Sequence, residues 1–354
     1  MAEAPAVGIG LQGGGTHGAF TWGVLDRLLH EVEAGTLAIA SVSGASAGAV
    51  NATILACGLM EGGPALARKR LREFWRRLAD RGASAGNALL GFAEPGPFGW
   101  NIDWSPAAIM LEAAGLVVSP YTNPFYADTL APLLQETFPG DMLARLNGAD
   151  SGPRLFLSAV NVSTNERKIF SQPDLSIDAI RASACLPAEF QTVMLGGEPY
   201  WDGGYLGNPA LEPLIDGATD IILVLINPLQ RVDMPPRTAR GILDRLNEIT
   251  FNASVILELN TIASINEVLR EAEAQGLDLK SRYRHVNLHL IRDDSFMAGL
   301  GVVSKSSTSW TLLSALHRAG RRAADAFLDE HHDAIGQRSS LDMKAELTRK
   351  VLKA

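Results

Sequence analysis

The stretch SVSGASAGAV, from Ser41 to Val50, contains the motif Gly-x-Ser-x-Gly between Gly44 and Gly48. A buried strand, LAIASVS, is predicted before it, and a helix of small residues, AGAVNATILACGL, after it. A serine between two glycines at such a strand-to-helix junction is typical of a nucleophile elbow, in which the hydroxyl projects from a strained turn. The pattern therefore favours Ser46 as a catalytic nucleophile over a serine in a closely packed helix start.

A second glycine-rich segment, GGGTHG at Gly13–Gly18, follows the short strand AVGIGLQ and precedes an amphipathic helix. Its pattern fits the Gly-x-Gly-x-x-Gly fingerprint of dinucleotide-binding proteins, which also requires an acidic residue at the end of the second strand. That strand ends at the Ser46 motif instead. The alternative is an oxyanion hole built from the amides of Gly13, Gly14 and Gly15. The two motifs together favour the oxyanion hole.

Strand and helix signals alternate along the chain and predict an α/β fold with a mainly parallel central sheet in a three-layer α/β/α arrangement. Later strand-like runs lie at residues 154–162, 220–228 and 284–292, and helical patterns at 239–274 and 310–331. We expect one domain over residues 1–335 and a polar C-terminal tail over 336–354.

Residues 81–124 differ in character from the rest of this domain. They combine glycine and proline with aromatic residues and show little periodicity. Such segments are often lids or binding loops, although packing within the core is an equal alternative. We expect the segment to cover or line an acyl pocket. Its aromatic residues are Phe92, Phe98, Trp100, Trp104 and Tyr121.

Composition limits the classes of function. The 354 residues are 47% hydrophobic and carry a net charge of −8, which disfavours nucleic acid as the main partner. The two cysteines, Cys57 and Cys185, form neither a disulfide framework nor a metal-site pattern. The N-terminal residues lack a signal-peptide pattern, and no apolar run is long enough to span a bilayer. We therefore expect a cytoplasmic protein without a metal or other cofactor.

Two more blocks complete a resemblance to a known family. They are ASACLP at Ala182–Pro187 and Asp202-Gly203-Gly204, and by themselves the last three residues are typical of an ordinary turn. With the glycine loop and the serine motif, they make the chain similar to bacterial patatin-like phospholipases, which are serine lipid acyl hydrolases with a Ser-Asp dyad. The match covers residues 6–227 well and the C-terminal helices loosely.

The resemblance implies a patatin-like fold and hydrolysis of lipid carboxylic esters of the phospholipase A type, with allowance for transient contact with a membrane surface. It assigns Ser46 as nucleophile, Asp202 as its partner and the Gly13–Gly15 amides as oxyanion hole. The family's glycine loop usually carries Arg or Lys where this chain has His17, so that anion stabilisation at this position would depend on pH.

We expect Asp202 to act as the base without a histidine. A carboxylate with an ordinary pKa of about 3.9 is a weak base, so this role requires partial burial and a hydrogen bond to Ser46. His285 and His289 follow Asp202, as the histidine of an α/β-hydrolase would. Their alternation with apolar residues favours ordinary strand positions for both, and His317 is expected on a helix surface.

Rival functions use the same residues differently. An acyltransferase or thioesterase could use the same serine and aspartate, although related transferases favour histidine where this chain has Ala45. A nucleotide-binding or scaffold protein would contain an inert Ser46. Head group, acyl length, activator and oligomeric state do not follow from the sequence.

Overall fold

The computed structural model describes residues 4–84, 100–103, 119–124, 126–231, 235–279, 283–343 and 346. Within them, one sheet contains eight strands. The strands are β1 (Ala6–Leu11), β2 (Ala38–Gly44), β3 (Arg154–Asn161), β4 (Arg167–Ser171), β5 (Val193–Leu195), β6 (Glu198–Asp202), β7 (Asp220–Val224) and β8 (Asn287–Ile291).

The helices of the described residues alternate with these strands along most of the chain. They are α1 (Gly18–Ala34), α2 (Ala47–Ser84), α3 (Leu130–Thr137), α4 (Met142–Asn147), α5 (Ile177–Ser183), α6 (Glu212–Ile215), α7 (Ala239–Ala274), α8 (Asp294–Ala298) and α9 (Trp310–His331). Helix α2 is kinked where Gly62 and Gly63 leave helical geometry. Short 3-10 turns occupy Gly15–His17, Gly203–Tyr205, Val302–Ser306 and His332–Ala334.

The sheet is mixed but mainly parallel, as expected. Its strand order is β5-β6-β3-β2-β1-β7-β8, and β4 pairs with β3. Strands β3, β2, β1, β7 and β8 are parallel to one another, whereas β4 and β6 run antiparallel to β3.

Helices cover both faces of the sheet and complete the three-layer fold. Helices α1, α2 and α9 pack on one face, and α7 lies on the other. Strand β7 shows the division, because Ile222 belongs to the first core and its neighbour Ile221 to the second. On the first face, glycines at the crossing of α1 and α9 bring their backbones close: a Cβ on Gly23 would collide with the His317 carbonyl.

The long helix α7 matches its predicted bounds, but its apolar stripe divides into two parts. The second half packs as expected, with Leu259 and Ile262 buried. In the first half, Leu246 is 53% exposed and the buried side is polar. Glu248, only 6% exposed, faces inward and pairs with Arg231. The helix therefore turns its polar side toward the carboxyl ends of the sheet strands.

Two strands end close together on the same edge of β3. Strand β2 ends with Gly44 opposite Leu157, and β6 ends with Asp202 opposite Ala159, two residues further along. Two residues of a strand span about 7 Å. Ser46 and Asp202 are thus brought together by two strands that meet head-on along β3, one parallel and one antiparallel to it, although the sequence predicts a mainly parallel sheet.

The beginning of the expected C-terminal tail packs against the sheet. The N–H groups of Ser340 and Leu341 both donate to the Leu288 carbonyl of β8, at 3.1 and 3.0 Å. The side chain of Met343 is 8% exposed and joins the core on the α7 face. Residues 336–343 therefore belong structurally to the edge of the sheet.

Candidate active site

Ser46 lies in the turn between β2 and α2 with a backbone φ of 54°. This left-handed conformation is rare and costly for a non-glycine residue, and it occurs often at functional sites. The flanking glycines leave no room for side chains. A Cβ on Gly44 would lie 2.5 Å from the Gly48 carbonyl oxygen, and a Cβ on Gly48 would collide with the Leu11 carbonyl. The turn therefore has the geometry of a nucleophile elbow.

Asp202 ends β6, and its side chain is completely buried. Carboxylate oxygen Oδ1 accepts a hydrogen bond from the Gly204 amide at 2.7 Å. Gly203 lies so close to β3 that a Cβ there would collide with the Ser158 carbonyl. The second oxygen, Oδ2, is buried and has no well-aligned hydrogen-bond partner among the residues that the structure describes. One buried acceptor of this carboxylate is thus left unsatisfied.

The ASACLP block connects the two turns through its backbone. The Ser46 amide donates to the Ser183 carbonyl at 3.0 Å, and the Asp202 amide donates to the Cys185 carbonyl at 2.9 Å. These carbonyls are two residues apart, at the C-terminal end of α5 and just beyond it. The block therefore fixes the position of the serine relative to the aspartate.

Burial of Asp202 strengthens it as a base. Loss of solvent raises the pKa of this carboxyl to about 7, although hydrogen bonds from the Gly204 amide and the Ser46 hydroxyl act in the opposite direction. The Ser46 hydroxyl thus interacts with the carboxylate, while Oδ2 lacks a partner with good hydrogen-bond geometry. Such loose contacts are common in unliganded active sites and tighten when substrate binds.

The glycine loop packs directly on the elbow, and its three amides are not equivalent. A Cβ on Gly13 would lie 2.6 Å from the Cβ of Ser46. The Gly13 amide already donates to Oδ1 of Asn208 at 2.7 Å. The amides of Gly14 and Gly15 have no hydrogen-bond acceptor within the described part of the chain. Two of the three predicted donors are therefore available to a ligand.

His17 is buried directly behind this loop. Its Nε2 lies 2.7 Å from the Ser304 hydroxyl. Burial, together with the nearby charge of Lys305, lowers the pKa of His17 to about 3. The imidazole is therefore neutral at physiological pH, which differs from the expectation that its titration controls anion stabilisation.

All seven histidines lie within the described residues, and none of them hydrogen-bonds to Ser46 or Asp202. His289 is buried against Asp220, at the opposite end of the sheet. His317 is packed on Trp22 rather than on an open helix surface, with ring centroids 4.0 Å apart, and His285 is exposed.

Only part of the 81–124 segment is described, and Phe92, Phe98 and Trp104 lie outside the described residues. Trp100 is half-buried against the main core. Tyr121 is 63% exposed, and its hydroxyl lies 2.9 Å from that of Thr192. A role of the segment in acyl binding stays a prediction.

Two asparagines are site residues that the sequence analysis missed. The Asn208 side chain holds the Gly13 amide, and the Asn227 amide group donates to the Gly13 carbonyl at 3.2 Å. A usable signal existed for Asn227, because it follows the carboxyl end of the predicted strand β7, where ligand-binding residues of parallel sheets collect. No comparable pattern marks Asn208.

Within the described residues, no cluster of three or more His, Cys, Asp or Glu side chains could hold a metal ion. No helix among them has both the length and the apolar character required to cross a bilayer.

One protein family and several solved structures are similar to this chain. The family model described as patatin-like phospholipase matches residues 10–215. VipD from Legionella pneumophila is similar in structure, with 18% identity and a TM-score of 0.42, over 92% of this chain and 67% of VipD. ExoU from Pseudomonas aeruginosa, solved in complex with SpcU, is similar with 15% identity and a TM-score of 0.41, over 94% of this chain and 52% of ExoU. No curated protein sequence matches.

The family match spans more than half of the chain and includes the glycine loop, the serine elbow and the buried aspartate. Patatin-like phospholipases hydrolyse lipids, as their name states. The chain belongs to the patatin-like phospholipase family.

Proposed function

We propose that the chain hydrolyses carboxylic esters of lipids, in the manner of a phospholipase A, through an acyl-enzyme on Ser46 with Asp202 as general base. The observation that carries this proposal is the buried Asp202 carboxylate, whose Oδ2 has no well-aligned partner among the described residues although Ser46 interacts with the group. A buried acceptor without a hydrogen bond is costly, and such groups are retained mainly where function needs them.

In the first step, Asp202 removes the proton of the Ser46 hydroxyl while Oγ of Ser46 bonds to the ester carbonyl carbon. The carbonyl oxygen becomes negative in the tetrahedral intermediate. As the intermediate collapses, the carbon–oxygen bond to the leaving alcohol breaks, and Asp202 returns the proton to that alcohol. A water molecule then gives a proton to Asp202 and attacks the acyl carbon. The bond to Oγ of Ser46 breaks, Asp202 returns the proton to Oγ, and the fatty acid is released.

The Gly14 and Gly15 amides are the donors that we assign to the oxyanion. Both are free of protein acceptors in the described residues, and their loop contacts the elbow through Gly13. Removal of one such donor typically costs about 10²–10³-fold in kcat. These amides therefore supply much of the rate enhancement that a dyad without histidine lacks.

The proton affinity of Asp202 suits this role better than that of an ordinary carboxylate. A general base is most effective when its pKa lies near the working pH, and burial brings the pKa of Asp202 to about 7. The rate should fall roughly tenfold per pH unit below that value, because only the ionised carboxylate accepts the proton.

Labelling with a fluorophosphonate tests the proposal directly, since the reagent requires an activated serine. We expect wild-type protein to be labelled at Ser46, and Ser46→Ala to remain folded, unlabelled and inactive on phospholipid or short-chain esters. Product analysis with and without an added alcohol separates hydrolysis from acyl transfer. Labelling at another serine, with ester turnover intact in Ser46→Ala, would overturn the proposal.

A further inference from the structure

Lys305 is a cation next to the glycine loop that the proposed chemistry leaves unused. Its backbone packs on the loop so closely that a Cβ on Gly15 would collide with the Lys305 carbonyl. The preceding residue anchors the same turn, because the Ser304 carbonyl accepts from the Thr16 hydroxyl at 2.9 Å and the Ser304 hydroxyl contacts His17. The position of Lys305 relative to the loop is thus fixed by three adjoining contacts.

The ammonium group of Lys305 bonds to amide oxygens rather than carboxylates. Nζ donates to Oδ1 of Asn227 at 2.9 Å and to Oδ1 of Asn247 at 2.7 Å. It also lies 5.6 Å from the centre of the Phe251 ring. No carboxylate in the described residues pairs with it directly. The groups that contact this buried ammonium directly are therefore neutral, and none of them cancels its charge.

Asn227 carries the influence of this charge to the glycine loop. Because its Oδ1 accepts from Lys305, its Nδ2 must point the other way, where it donates to the Gly13 carbonyl at 3.2 Å. In a planar trans peptide the C=O and the following N–H point in opposite directions. The hydrogen bond from Asn227 to the Gly13 carbonyl therefore orients the Gly14 N–H toward the other side of the loop. By polarising the shared peptide group, it also makes the Gly14 N–H a stronger donor.

We propose that Lys305 is a positioning residue of the oxyanion hole: through Asn227 it orients and polarises the Gly13–Gly14 peptide, so that the Gly14 amide stabilises the negative oxygen. This inference rests on the proposed acyl-enzyme chemistry at Ser46. Lys305, in the turn Val302–Ser306, thereby supplies the positive charge that the neutral His17 does not provide.

The protonation state of Lys305 gives the inference a measurable signature. Burial lowers the pKa of Lys305 to about 8, while Glu248 and Asp244 on α7 act in the opposite direction. Glu248 is itself paired with Arg231 and Arg245, and the adjacent His17 is neutral. The ammonium form is the active one here, so activity should decline as the pH rises above about 8.

The test compares the pH dependence of kcat for wild type, Lys305→Met and Lys305→Arg. We expect Lys305→Met to lower kcat about 10–100-fold at pH 7.5 with little change in KM, because the effect acts on the transition state, and to remove the alkaline decline. Arginine keeps its charge at high pH, so Lys305→Arg should move the decline upward by two or more pH units. Lys168→Met is the matched control: this exposed lysine of β4 lies over the Phe170 ring, and its loss should change neither kcat nor the alkaline decline.

Asn227→Asp provides a second route to the same answer. It keeps an oxygen for Lys305 but removes the shorter of two side-chain donors to the Gly13 carbonyl and leaves the longer contact from Nδ2 of Asn208 at 3.5 Å, so kcat should fall by a similar factor. Combined with Lys305→Met, the losses should be less than additive, because both act through one path. If Lys305→Met does not fold, an unchanged alkaline decline in Lys305→Arg overturns the inference. Ser46→Ala separates this inference from the proposed function. If activity depends on Ser46 but the pH profiles of the Lys305 variants equal that of wild type, only the role of Lys305 is rejected.

Discussion

Two aspartates at opposite ends of the same sheet each belong to a serine-containing group, and only one of these groups has the Ser-His-Asp order of a triad, with the two imidazole nitrogens exchanged. At the carboxyl end, Asp202 interacts with Ser46 without a histidine. At the amino end of β7, Asp220 bonds to Nε2 of His289 at 2.8 Å, and Nδ1 of His289 lies 2.9 Å from the Ser340 hydroxyl. The complete Ser-His-Asp chain lies at the end where the family motifs are absent.

The two carboxylates differ in how well they are satisfied. Oδ1 of Asp220 accepts from His289 and from the Gly336 amide at 2.8 Å, and Oδ2 accepts from the Thr219 hydroxyl at 2.7 Å. Burial favours a higher pKa for Asp220, but these hydrogen bonds outweigh it and lower the pKa. Asp202, by contrast, has one oxygen without a well-aligned partner in the described part of the chain, and its pKa is raised to about 7.

The proposed base therefore differs from the structural carboxylate in its unused hydrogen-bonding capacity and not in having a serine nearby. A carboxylate whose oxygens are all hydrogen-bonded has little proton affinity left to use. The network of Asp220, His289 and Ser340 instead fastens the C-terminal segment to β8. The strained φ of Ser46 points in the same direction, since strain persists where function requires it.

The largest expected contrast is between the two serines. Ser46→Ala should lower kcat by at least about 10³-fold, because the nucleophile is lost. Ser340→Ala removes a hydroxyl that, among the described residues, bonds to His289 alone, and kcat should stay within about twofold of wild type. Ester hydrolysis by both purified variants, with circular dichroism as a check on folding, measures the contrast. A large loss in Ser340→Ala with the fold intact would reverse our assignment of the two groups.

Replacing each of the two aspartates by asparagine should give a difference in kcat that is large but smaller than the difference between the two serine variants. Asp202→Asn keeps the shape of the side chain and removes the base, so kcat should fall by about 10²–10⁴-fold. Asp220→Asn should leave kcat nearly unchanged in the folded fraction. Steady-state kinetics normalised to folded protein tests this pair, and equal losses of kcat would remove the distinction between them.

Ionisation of Asp202 should lower the stability of the fold, whereas it should raise the activity. A carboxyl with a pKa raised from 3.8 to about 7 holds its proton more tightly when folded, so stability is greatest below pH 3.8 and is lost as the pH rises toward 7. Asn does not titrate. The free energy of unfolding of Asp202→Asn, relative to that of wild type, should therefore rise by roughly 3 kcal/mol between pH 5 and pH 8. Urea unfolding at both pH values measures it, and an advantage independent of pH would show that Asp202 is not buried as described.

The smallest expected change in rate belongs to His289. His289→Ala removes a buried ring from Asp220 and should lower the free energy of unfolding by about 2–4 kcal/mol, while kcat stays near wild type. His30→Ala on the exposed side of α1 is the control and should cost less than about 0.5 kcal/mol. If His289→Ala were as stable as the control, the network would not fasten the C-terminal segment.

The sequence predicted the parts of the site that follow one another along the chain. The elbow at Ser46 and the glycine loop each lie within a single strand–turn–helix unit, where local spacing determines geometry. Asp202 was assigned through family resemblance, because its turn alone resembles any Asp-Gly-Gly turn. The antiparallel approach of β6 was not predicted, since β3 offers the same edge to two strands and no local pattern records this.

The remaining parts depend on contacts between distant segments. Asn208, Asn227 and Lys305 reach the glycine loop from three separate connections, and none lies in a motif. The outward-facing apolar half of α7 was missed for a related reason. Helical periodicity finds a stripe, but only tertiary structure decides whether the polar side, with Glu248, faces the interior instead.

The carbonyls of Ser183 and Cys185 have a consequence for motion. One accepts the backbone N–H of Ser46 and the other that of Asp202, and they lie two residues apart in a single short segment. Because both turns are bonded to this one segment, we expect their displacements to be correlated and the Ser46–Asp202 separation to vary less than either position. A designer who wishes to retune that separation could therefore change Ala182–Pro187 without altering Ser46 or Asp202.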